Sequence, residues 1–201
     1  MGISGPYSNR EKAIEVATQR CVQCIAFSRA LAMQVNFGSV LDSDLYNPII
    51  EYNAMGGTSD EVYSEVAKEF EIVDIQWLGG KIGAVVFART PDMTIIKEIS
   101  RIDVDNVPTI ENHYVTIASS SERYSEYADA IEAATFRSAA ALIDIHEGTV
   151  TVSNNIVDTT STWYRGDSYS ISGNKLEGFA VLAYEYNTEE NKVYALAVCN
   201  K

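Results

Sequence analysis

The chain has 201 residues, of which 46% are hydrophobic and 21% charged, as in an ordinary soluble globular protein with one large core or two of about a hundred residues. Its net charge of −13 and the scatter of its 15 Lys and Arg make nucleic acid and anionic membrane surfaces poor partners, since phosphates are repelled. No apolar run approaches the roughly 20 residues of a membrane span. The start, MGISGPYS, has neither an apolar signal core nor a lipoprotein-type Cys, and Pro6 stands where myristoylation wants Ser or Thr. The chain is therefore expected to be cytoplasmic or else trimmed from a longer one.

Gly2–Tyr7 reads as the tail of a strand. Ser8-Asn9-Arg10-Glu11 has capping-box form, with Ser8 as cap and Glu11 reaching back. From there to about Ala32, Ile14, Ala17, Cys21, Cys24, Ile25 and Ser28 recur at three- and four-residue spacing, one face of a helix. The small side chains let that helix sit close on a sheet. Gln34–Leu41 reads as a strand, and Asp42–Gly57 as a loop with turn chemistry at Asn47-Pro48 and Gly56-Gly57. Ser59–Phe70 reads as a shorter helix capped by Ser59, with Val62, Val66 and Phe70 four apart. Glu71–Trp77, the reversal Leu78-Gly79-Gly80 and Lys81–Arg89 make a β-hairpin. Its second strand is apolar in both alternating sets, as in a strand covered on two sides.

Thr90–Pro108 reads as a connection with a short helix at Ile95–Ile102. His113–Ala118 is a strand and Ser119–Ser121 a second cap. A helix follows from about Glu122 to Leu142, with Ile131, Ala134, Ser138, Ala141 and Leu142 inward. Gly148–Val157 alternates as a strand, and Asp158–Gly173 is a polar loop. Phe179–Tyr186, a turn at Asn187–Asn191 and Lys192–Cys199 form a closing hairpin.

An internal echo organises these elements. AIEVATQR at Ala13–Arg20 returns as AIEAATFR at Ala130–Arg137, with six of eight positions identical. KIGAVVFAR at Lys81–Arg89 returns as KVYALAVCN at Lys192–Asn200. Two echoes in the same order imply a duplication. The expected fold is α+β, with two tandem repeats, each a long helix packed on an antiparallel sheet in the order strand, helix, strand, hairpin. The first repeat spans 1–90, the connection 91–109 and the second repeat 110–201.

Candidate chemistry is thin. Cys21-Val22-Gln23-Cys24 has the C-x-x-C form of a redox pair or half a metal site. The echo matches Cys21 with Ser138, Cys24 with Ala141 and Cys199 with Ala88, so all three thiols are read as small packing residues. No Cys or His cluster completes a zinc set. Asp144, His146 and Glu147 form the richest acid-base group, at the end of the second long helix, and His113 is read as a strand-edge residue. No G-x-S-x-G elbow frames a nucleophile, and neither Gly56-Gly57 nor Gly79-Gly80 is a phosphate loop. No catalytic, cofactor-binding or metal residue is assigned. Among the 12 tyrosines, Tyr46, Tyr52, Tyr164 and Tyr169 fall in loops or at strand ends. Trp163, Tyr164, Arg165 and Tyr169 are singled out as a contact surface, because Trp, Tyr and Arg are enriched in such surfaces.

The hairpin segments EIVDIQWLGGKIGAVVFAR at Glu71–Arg89 and LEGFAVLAYEYNTEENKVYALAVCN at Leu176–Asn200 resemble the closing segment of the bacterial lipoprotein-20 family. GISGPYSNREKAIEVATQR resembles that family's opening. The resemblance implies a helix-on-sheet domain, present twice, in bacterial cell-envelope lipoproteins, some linked to the outer membrane, with no catalytic motif to carry over. A lipid anchor would then precede the present start, and membrane attachment would run through it alone. The function expected is non-enzymatic: assembly with itself or with other envelope proteins, without cofactor. The alternative is a small-molecule binding module with a pocket between helix and sheet, lined by residues such as Trp77 or Trp163.

Overall fold

The computed structural model describes residues 1–40, 49–80, 82–94, 96, 99, 101–120, 126–147, 152–159 and 162–201, and gives the backbone alone at 33–40, 49–56, 144, 146–147, 152–159 and 162–175. The fold is α+β. Its described elements are β1 (Gly2–Ile3), α1 (Arg10–Arg29), β2 (Leu31–Val40), β3 (Ile49–Gly57), α2 (Asp60–Glu69), β4 (Glu71–Gly79), β5 (Gly83–Arg89), β6 (His113–Ser119), α3 (Tyr127–Glu147), β7 (Val152–Thr159), β8 (Thr162–Leu176), β9 (Ala180–Asn187) and β10 (Lys192–Asn200). They form three antiparallel sheets, ordered β1-β5-β4, β6-β10-β9 and β3-β2-β8-β7.

Helix α1 begins one residue later than the capping box suggests. Asn9, not Ser8, is the cap: its side-chain oxygen accepts from the amides of Glu11 at 2.8 Å and Lys12 at 3.4 Å. The buried face is also turned from the expected one. Ala13, Ala17, Cys21, Val22, Ile25 and Ala26 are buried and pack on Ala84 and Val86 of β5 and on Val66 of α2. Small residues there bring backbone close to backbone. A Cβ on Gly2 would run into the Ala17 carbonyl oxygen, so β1 takes glycine at that position. Helix α2 forms as expected, with the Ser59 hydroxyl accepting from the Val62 amide.

The hairpin β4–β5 matches expectation, and β5 is covered on two sides: Ala84 and Val86 face α1, while Val85 joins Ile3 of β1 and Ala128 of α3. In β10 the same holds, since Val193, Ala195, Leu196, Ala197, Val198 and Cys199 are all buried. The largest cluster gathers Phe27, Leu31, Leu142, Ile143, Leu176 and Phe179 from α1, β2, α3, β8 and the approach to β9. Each such side chain contributes about 1.5–3 kcal/mol on leaving water.

Four expectations are corrected. Ile49–Gly57 is a strand, β3, paired with β2 from Ala32↔Gly57 to Val40↔Ile49, and 41–48 lie outside the described residues. Asp158–Gly173 is not a loop: β8 runs through it, paired with β7 over Thr162–Tyr169 and with β2 over Tyr169–Leu176. Each long helix is therefore followed by a hairpin rather than by a single strand, and the two hairpins join in one sheet through β2 and β8. No helix occurs among the described residues of 95–102. Ser120 is not a helix cap but a sheet partner of Val193, while Ser121 lies outside the described residues.

The two three-stranded sheets share local geometry. Arg20 Nη1 donates to the Ile3 carbonyl and Arg137 Nη1 to the Ser119 carbonyl, both at 2.9 Å. Ile3 sits opposite Val85, and Ser119 opposite Tyr194. That matches Val85 with Tyr194 and so Ala88 with Ala197, two residues away from the pairing of Ala88 with Cys199 read off the sequence echo. The elements around the two sheets differ: α2 stands between β3 and β4, whereas β8 leads into β9 with no helix between them.

Candidate functional site

A cavity of about 470 Å³ opens between α1, β9 and described residues of the connection after β5. From α1 come Cys24, Ile25, Phe27 and Ser28, set on adjoining turns of one helix face. Strand β9 runs along it from Ala180 to Tyr184, Phe87 closes one side, and the connection adds Met93, Ile99, Arg101 and Ile102. A second, narrow space of about 40 Å³ shares Met1, Cys24, Phe27, Thr135 and Tyr184 with the first and continues between α1 and α3 toward Ile3, Ala128 and Ile131. The two spaces adjoin along these shared residues, and Arg20, Gln23 and Glu132 border the narrow one.

Polar groups deep in the cavity are satisfied. Thr135 Oγ1 donates to the Ile131 carbonyl at 2.7 Å, so the Tyr184 hydroxyl, also 2.7 Å away, donates to it. Burial pushes the Tyr184 phenol up, keeping it neutral. Ser28 Oγ donates to the Ile25 carbonyl at 2.7 Å. At the mouth, Arg101 lies 3.7 Å from Glu185 Oε1, and Glu185 Oε2 accepts from the Ile102 amide at 2.8 Å. Arg101 is 85% exposed and places a guanidinium at the rim of the cavity.

The cysteines fall apart as a redox pair in environment. Cys21 is fully buried against β5, whereas Cys24 is half-buried on the cavity wall. Burial, chiefly, pushes the Cys24 thiol up, away from the thiolate. Cys199 is buried in the largest cluster, and desolvation raises its thiol to about 11. All three thiols are free. His113 opens β6, an edge strand, with Nδ1 2.7 Å from the Glu111 carbonyl oxygen. The side chains of Asp144, His146 and Glu147 lie outside the described residues. No three His, Cys, Asp or Glu side chains gather to hold a metal among the described residues, and no described helix is long and apolar enough to cross a membrane.

Trp163, Tyr164, Arg165 and Tyr169 are strand residues of β8, opposite Asp158, Val157, Ile156 and Val152 in turn. Tyr169 is also opposite Phe37, which is opposite Tyr52. One register row thus brings Val152, Tyr169, Phe37 and Tyr52 together from four strands. Their side chains lie outside the described residues, as does Tyr46. Trp77 does not line the cavity. It stands on β4, 38% exposed, with the Arg10 guanidinium carbon 5.2 Å from its ring centre.

Strand β4 carries a surface that sequence reasoning missed. It is an edge strand, exposed from Glu71 to Leu78, and it holds Ile72, Val73, Ile75, Trp77 and Leu78 at 38–59% exposure. Register shifts against β5 fall at Val73 and Leu78, the two most exposed of the five. The only sequence signal was that β4 has apolar residues without a clean alternation.

No protein-family model, curated protein or solved structure matches the chain.

Proposed function

We propose that this is a non-enzymatic contact protein of the cell envelope, which associates with itself or with other envelope proteins through the β4 edge. The observation that carries the reading is the run of five exposed apolar side chains on one edge strand. Monomeric proteins rarely leave such a patch uncovered, and an edge strand with unpaired backbone groups is a ready docking line. The two bulged residues interrupt the ladder at Val73 and Leu78, which favours side-chain docking over continuous strand addition. The row on β8 that includes Tyr169, with Trp163, Tyr164 and Arg165 beyond it, is assigned to the same role as a second contact surface. Placement in the envelope rests on the resemblance of Glu71–Arg89 and Leu176–Asn200 to the lipoprotein-20 hairpin.

The test is sedimentation velocity over a wide concentration range, on the native chain and on Val73→Lys with Leu78→Lys. Both positions are more than half exposed, so the variant folds. Concentration-dependent association that the double variant weakens at least about tenfold supports the reading. A chain that stays monomeric throughout and captures no envelope protein at β4 by site-specific cross-linking rejects it.

A further inference from the structure

The cavity between α1, β9 and the connection has a shape and polarity that select one ligand class, independently of the β4 surface. Its 470 Å³ falls within the roughly 300–1,000 Å³ of small-molecule sites. The larger part of the wall is apolar, with Ile25, Phe27, Phe87, Ile102, Val181 and Leu182 on it. The hydroxyls of Ser28, Thr135 and Tyr184 each donate within the protein and leave no hydroxyl hydrogen for a ligand. A carboxylate, which only accepts, therefore finds no free hydroxyl there and would lose its hydration. The cavity adjoins the narrow slot between α1 and α3, whose width fits a chain rather than a ring system. At the mouth Arg101 is the cationic side chain among the described residues of the lining, exposed and 3.7 Å from Glu185. Such a pair is weak and exchangeable.

We propose that the cavity binds a single-chain aliphatic carboxylate, its hydrocarbon lying along Phe27 and Cys24 toward the slot and its carboxylate meeting Arg101 at the rim. Burial of the chain supplies the affinity. Arg101 sets the preference for an anionic head in a protein whose overall charge of −13 would otherwise repel it.

Dodecanoate is the probe, used with the native chain and with Arg101→Glu, and compared with dodecanol and dodecylamine. Dodecanoate is expected to raise Tm saturably and to slow alkylation of Cys24, which lines both spaces, as followed by mass spectrometry. Arg101→Glu, a substitution at an exposed side chain, is expected to weaken dodecanoate binding about tenfold, the attraction becoming repulsion, and to leave dodecanol unchanged. No saturable Tm rise together with an unaltered Cys24 rate overturns the site. Equal dodecanoate affinity in Arg101→Glu, or dodecylamine binding the native chain as tightly as dodecanoate, overturns the placement of the head.

Discussion

Ser120 holds Val193 at both of its backbone groups: the Ser120 amide donates to the Val193 carbonyl at 2.8 Å, and the Ser120 hydroxyl accepts from the Val193 amide at 2.9 Å. Ser4 does the same to Ala84, at 2.9 Å in both bonds. Each serine fixes the place where its strand leaves the edge of the inner strand, β10 or β5, and both are fully or almost fully buried. Ser120→Ala or Ser4→Ala leaves a buried amide without an acceptor, which costs about 1–3 kcal/mol. Urea denaturation of each variant measures this. Replacement by Thr, which keeps the hydroxyl, is expected to recover part of the loss.

A second expectation concerns the C-x-x-C. Ser138 of α3, matched with Cys21 by the echo of the helices, is fully buried and donates to the carbonyl of Thr135, three residues back. A serine at Cys21 has the corresponding bond open to it within α1. Cys21→Ser combined with Cys24→Ala should therefore change stability by no more than about 1–2 kcal/mol, since the new hydroxyl is bonded and only one sulfur is lost beside a cavity. Loss of the folded state on thermal unfolding would mean that the thiols do something packing does not.

Stability should fall in alkali because the Cys199 thiol is buried. Desolvation raises the Cys199 thiol from 9.0 to about 11. Its neutral form is thus preferred in the folded chain, and its contribution is intact below about pH 9. That contribution is lost between pH 9 and about pH 11, as the unfolded thiol ionises first, and amounts to about 2–3 kcal/mol. Cys24 and Tyr184 are raised as well and act in the same direction. Denaturation midpoints taken from pH 8 upward should decline, with a shallower slope in Cys199→Ala.

Much of the frame was legible because its cues are local. Ser59 caps α2, the small residues from Ala13 to Ala26 mark α1, and Gly79-Gly80 and Asn187–Asn191 mark the turns of two hairpins. What escaped were β3 and β8. Their sequences, rich in Asn, Gly, Ser and Asp, read as turns, and their strand character comes from neighbours distant in the chain, since strand preference depends on what lies alongside. The register of the second echo escaped for a related reason. Alternating small apolar residues match themselves after a shift of two, and only the pairings Ile3↔Val85 and Ser119↔Tyr194 decide it. The cavity left no trace in any single stretch, because its walls come from residues as far apart as Cys24, Arg101 and Tyr184.

The pairing of β2 with β8 joins Leu31 to Leu176 and Phe37 to Tyr169, so one ladder spans most of the chain. Closing a loop of that length is entropically costly before any of its bonds repay it. During synthesis from the N-terminus, β2 emerges with β3 on one edge and nothing on the other until β8 has followed. For that interval the nascent chain carries an open strand waiting for its own far end, and the hairpin β7–β8 is what finally closes it.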